Sequence, residues 1–114
     1  MATIAPSDSY SLSDDHVAFR DTIRQSVRER VEPRAAEIDA KAEYPWDLRK
    51  LFAEQDLLGL PFDEEHGGTG TGTLMLNIAV EEVSKACAST ALILMVQELG
   101  TLPIRLFGSD ELKQ

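Results

Sequence analysis

Sixteen residues in the middle of the chain, LLGLPFDEEHGGTGTG (57–72), constrain its fold more than any other stretch. An apolar segment reaches a glycine, passes through an acidic turn and ends in a glycine cluster, and the residues on both sides have helical rather than strand periodicity. Upstream, Phe19, Ile23, Val27 and Val31 recur at a strict spacing of four, one apolar stripe on a helix. Downstream, LMLNIAVEEVSKACAST runs almost without pause into TALILMVQELGTLPIRLFG. No repeat and no extended alternation of apolar and polar residues occurs, so the fold class expected is all-α.

Local signals place the helix ends. Ser13 followed by Asp14 and Asp15 supplies a capping hydroxyl and acids at the positive dipole end, after a polar lead-in over residues 1–12. Pro33 interrupts the first helix, and Ala35, Ile38 and Ala42 continue the apolar face on a shorter piece. Tyr44-Pro45-Trp46 marks a turn into a third helix with Leu48, Leu51, Phe52 and Gln55 inward and an end near Gly59. Thr71 or Thr73 caps the fourth, whose inner face is Met75, Ile78, Ala79, Val83 and Ala86, with Glu81 and Lys85 as an exposed pair. The fifth starts near Ser89 or Thr90 and is apolar nearly all round through Val96, which predicts a central, buried helix that Gly100 and Pro103 kink or divide. Ser109-Asp110-Glu111 is a further capping signature, but the five residues from Asp110 onward are expected to be too few to sustain a helix.

Charge and residue usage exclude several functions. Twenty acids against eleven bases give a formal net charge of -9, and Arg20, Arg24, Arg28, Arg30 and Arg34 are interleaved with Asp21, Glu29, Glu32 and Glu37. That is a salt-bridged surface without the basic stripe that nucleic acid requires. The single cysteine, Cys87, excludes an internal disulfide, and with no basic neighbour it is expected to be a packed thiol. The first fifteen residues have no basic or apolar leader pattern, and the longest apolar run, Ala91–Val96, is far shorter than the roughly 20 residues of a bilayer span. The expectation is a cytoplasmic protein with no membrane span.

The glycine cluster Gly67, Gly68, Gly70, Gly72 invites comparison with a phosphate loop. However, three residues beyond Gly70 stands Thr73, no lysine or arginine occurs from Leu51 to Val83, and Asp63, Glu64 and Glu65 would repel phosphate. Backbone freedom in a tight loop is the better reading. Asp63, Glu64, Glu65 and His66 are metal-ligand types, but consecutive residues are not expected to converge on one ion. No catalytic, cofactor-binding or metal residue is therefore assigned. On the fifth helix, Ala91, Met95 and Leu99 lie on one side at spacing four, beside Leu92 and Val96. Periodicity alone makes these a buried core helix, and flexible Met95 could equally floor an apolar pocket.

Taken in order, FRDTIRQSVRERVEPRAAEIDAKAEYPWDLRKLFAEQDLLGLPFDEEHGGTG and EEVSKACASTALILMVQELGTLPIRLFGSDELKQ resemble the N-terminal helical domain of the acyl-CoA dehydrogenases. Asp63 and His66 depart from that pattern, standing where a proline and an aromatic residue are common. The resemblance implies an up-and-down, bundle-like domain over residues 13–114, cut off at the start of its last helix, with the family's middle β-domain and C-terminal four-helix domain absent. It implies an oxidoreductase that uses FAD to convert acyl-CoA thioesters to trans-2-enoyl-CoA in fatty-acid or branched-acyl catabolism. Electron-transfer flavoprotein would be the electron partner, and the complete enzyme would be a homo-oligomer. Base and flavin contacts belong to the later domains, so this stretch alone is expected to be inactive. Its implied share is a wall of the acyl pocket: substrate-binding Ala91, Leu92, Met95, Val96 and Leu99. Without companion domains, an apolar face of the fourth and fifth helices would be left in water and favour association. The alternatives are a related acyl-CoA oxidase or flavin monooxygenase, or a free-standing helical-bundle interaction module without cofactor.

Overall fold

The computed structural model describes residues 10–114; of the expected lead-in, residues 1–9 lie outside the described residues. Among the described residues there are six α-helices, three short 3-10 turns and no strand, so the all-α expectation holds.

Helix α1 (Asp14–Arg30) begins as its sequence dictates: the Ser13 hydroxyl accepts the His16 amide at 3.3 Å. Its stripe buries Ile23 and Val27, with Val31 just beyond the last turn and Phe19 packed at the edge. Pro33 sits in a 3-10 turn (Glu32–Arg34), and α2 (Ala35–Lys41) buries Ile38. Ala42 does not continue that face, because it takes the left-handed conformation (φ 51°) that closes the helix. Helix α3 (Trp46–Glu54) buries Leu48 and Phe52 but stops before Gly59, since Asp56 is also left-handed (φ 59°). Gln55 consequently faces outward, donating from Nε2 to the Ser26 hydroxyl at 3.0 Å.

The glycine-rich segment is a loop laced to itself. The amide of Thr69 donates to Gly59, that of Gly70 to Phe62 and that of Gly72 to Leu60, at 2.8–3.1 Å. Gly68 is required by approach rather than by angle, because a Cβ there would lie 2.0 Å from the Phe62 carbonyl oxygen. Gly70 is required by its φ of 66°. Thr71 precedes α4 (Gly72–Ala86) without capping it; its hydroxyl pairs with that of Thr69 at 2.8 Å instead.

Helix α4 lies between α1 and α5 (Ala88–Phe107) and packs against both. The molecule is a slab, 54 × 41 × 19 Å, and 19 Å is scarcely two helix diameters of about 10 Å. Its radius of gyration is 16.0 Å, against about 13 Å for a compact chain of this length. In so thin a body an outer helix can bury only one side. This corrects the expectation for α5: α4 occupies the centre, while α5 buries Thr90, Ala91, Ile93 and Leu94 and turns its opposite face outward. Nor do Gly100 and Pro103 divide it, for the helix runs through both. A final turn, α6 (Asp110–Lys113), does form, its Leu112 amide 3.4 Å from the Ser109 hydroxyl.

Candidate functional site

The outward side of α5 holds the residues of interest. At about 100° per residue, Leu92, Met95, Val96, Leu99, Pro103 and Leu106 fall within one sector opposite the buried one. Leu92, Met95, Val96 and Leu99 are all exposed, Leu99 by 67%, and Leu106 and Phe107 extend the strip towards the end of the helix. A contiguous exposed apolar strip of this kind is suited to contact something apolar. Ala91 takes no part in it: 1% exposed, it belongs to the core beneath.

By length and composition α5 could also cross a bilayer, with 20 residues and an 18-residue stretch of mean hydropathy 1.3, a point the six-residue run Ala91–Val96 concealed. Two features belong instead to a helix within a protein. Its inner face packs on α4, and its charges, Glu98 and Arg105, pair with each other at 2.9 Å.

Helix α4, on which α5 packs, is joined to α1 along a seam, and here sequence reasoning missed a residue. Glu81 and Lys85 do form the expected pair, at 3.0 Å. The neighbouring Glu82 is buried, only 3% exposed, and its carboxylate accepts from Arg24 Nε and Nη2 at 2.9 and 3.0 Å and from Lys85 Nζ at 2.7 Å. The Arg24 hydrogen bond, opposed by burial and reinforced by Lys85, holds this carboxyl down at about 2. The same contact raises Arg24, and Glu82 likewise raises Lys85. Position carried the signal: Glu82 lies three residues after buried Ala79 and next to buried Val83, at the margin of the inward sector.

At the far end of α5, Arg105 donates to the Pro61 carbonyl at 2.7 Å and to Glu98, with its guanidinium carbon 5.8 Å from the centre of the Phe62 ring. An open cleft of about 650 Å³ lies here, bounded by Phe62, Thr101, Ile104, Leu112 and the acidic loop. Contrary to expectation, Asp63, Glu65 and His66 do converge, with their ligand atoms within 4.8 Å of one another, but all three are exposed side chains of a solvated turn. The glycine amides are not free for a phosphate: those of Gly67, Gly68, Gly70 and Gly72 all donate to carbonyls of the loop itself. Cys87 is the packed thiol its surroundings predicted, buried and accepting from the Thr90 hydroxyl at 3.1 Å.

Comparison with known proteins gives a consistent result. The family model described as acyl-CoA dehydrogenase, N-terminal domain, matches residues 13–114. The chain is 36% identical over 107 residues to the probable acyl-CoA dehydrogenase YngJ of Bacillus subtilis (strain 168), across 93% of this chain and 28% of that protein. It is 40% identical over 103 residues to the cyclohex-1-ene-1-carbonyl-CoA dehydrogenase of Geobacter metallireducens, across 90% of this chain and 27% of the relative. The cyclohexane-1-carbonyl-CoA dehydrogenase of the same organism is 38% identical over 105 residues, again across 90% and 27%. The chain thus spans little more than a quarter of the length of the curated relatives it matches.

Proposed function

The chain belongs to the acyl-CoA dehydrogenase family, as its N-terminal domain, and on that premise we propose that the outer face of α5 is one wall of an acyl-binding pocket. The enzyme so completed would oxidise an acyl-CoA thioester to the trans-2-enoyl-CoA with FAD. The observation that carries this reading is the placement of four apolar side chains, Leu92, Met95, Val96 and Leu99. They stand open on a helix whose opposite side is locked into the core. A hydrocarbon tail gains about 0.8 kcal/mol for each methylene it removes from water, so such a wall contributes affinity in proportion to chain length.

The residues described do not fit a flavin diphosphate. The loop amides are engaged, and Asp63, Glu64 and Glu65 carry the wrong charge. FAD is therefore assigned to other parts of a complete family member, and no residue of this chain is given a chemical step. Electron-transfer flavoprotein as acceptor, a homo-oligomeric enzyme and a cytoplasmic location belong to the same proposal.

Replacing Met95 by Ala and by Phe in the complete enzyme tests it, with turnover profiled over straight-chain acyl-CoAs and cyclohexanecarbonyl-CoA, the last suggested by the Geobacter relatives. Ala should move the preference towards longer or bulkier acyl groups, and Phe towards shorter ones. Profiles that match the parent with both variants would remove α5 from the pocket.

A further inference from the structure

Helix α5 has a weak point with a side chain bridging it. Pro103 has no N–H to give to the carbonyl of Leu99, one turn back. The Thr101 hydroxyl donates to the carbonyls of Gln97 and Glu98, at 2.8 and 3.1 Å, a pattern that bends helices. At Gly100, just before Thr101, no other segment of the described residues comes within 4 Å of the place a Cβ would take. The core offers little support, because no residue of α5 beyond Leu94 is fully buried. Arg105 makes good the deficit. Its guanidinium reaches Glu98, seven residues back and on the near side of Pro103, while also binding the Pro61 carbonyl and standing over the Phe62 ring. Pro61 and Phe62 are held in turn by the self-laced loop, in which Gly70 donates to the Phe62 carbonyl at 2.8 Å.

We propose that Arg105 is a latch: it holds the second half of α5, from Gly100 onward, against the 57–72 loop, and its release lets that half hinge outward and open the cleft between Phe62 and Ile104. The inference goes beyond the pocket reading and does not depend on it, since it concerns only how two parts of this chain are held together.

Amide hydrogen exchange on the full-length protein tests it. Arg105→Gln should speed exchange about tenfold both in residues 101–108 and in residues 61–66, leaving α1 and α4 at parent rates. Glu98→Gln should reproduce the effect in 101–108. Adding Pro103→Ala to Arg105→Gln, which restores the missing helical donor, should recover protection in 101–108 but not in 61–66. Unchanged rates in both segments would overturn the latch. A uniform increase through α1, α4 and α5 would overturn it too, by showing Arg105 to be a general stabiliser rather than a local tie.

Discussion

The seam between α1 and α4 and the outer face of α5 invert what side-chain polarity alone would suggest. In the seam a carboxylate, Glu82, is almost wholly buried, whereas on α5 a leucine, Leu99, is 67% exposed. The seam has two helices to supply partners: apolar Ile23 and Val27 from one side, Ala79 and Val83 from the other, and cations at its margin that satisfy the carboxylate. Among the described residues, the outer face of α5 meets no third layer in a body 19 Å thick. Burial is set by whether a partner exists on that side, and hydropathy sets only what an unpartnered side is fit to receive.

The sharpest way to break the contrast is to remove the charge from the seam. Glu82→Ala should cost about 2–4 kcal/mol in urea unfolding, because it deletes three charge-assisted hydrogen bonds and leaves a gap beside Val83. Arg24 and Lys85 are partly exposed and can return to water, which keeps the loss from being larger. A change below about 0.5 kcal/mol, the range of an ordinary surface substitution, would mean the seam is held by apolar packing alone.

Acid should show the same asymmetry with a smaller amplitude. The Glu82 carboxyl is lowered from 4.5 to about 2 by folding, chiefly through the Arg24 hydrogen bond. A depressed carboxyl adds stability that is complete above its unfolded value and is lost as the pH falls towards its folded one. Unfolding free energy should therefore decline between about pH 5 and pH 2, and Glu82→Gln should flatten that decline. Some slope should persist in the variant, since Glu37 is lowered as well, by Lys41 and then Arg34. Equal slopes for parent and Glu82→Gln would separate the ion pair from stability.

These two regions also differ in how far they could be read from sequence. The α1 stripe, the Ser13 cap and the break at Pro33 were legible because each is local, a matter of spacing or of one residue's geometry. So was the glycine loop, although its reason proved finer than conformational freedom: Gly68 is needed because the Phe62 carbonyl lies where a side chain would be. The burial of Glu82 depends on Arg24, 58 positions away, and no window of sequence contains both. The face of α5 departs from the sequence expectation for the related reason that a helix apolar on two sides looks central. Whether it is central depends on how many neighbours the fold supplies, and here α4 takes that place.

The smallest effect is expected on the outer face, and it is the one that secures the comparison. Leu92→Gln and Leu99→Gln, singly or together, should each change the unfolding free energy of the 114-residue chain by no more than about 0.5 kcal/mol, since neither side chain gives up much buried surface. The same pair should lower self-association in size-exclusion chromatography at high concentration, because it divides the strip that runs from Leu92 to Phe107. A loss of 2 kcal/mol or more from the double substitution, with no change in association, would mean that this face is covered within the chain in solution. The contrast between a partnered seam and an unpartnered wall would then fail at the point from which the functional reading starts.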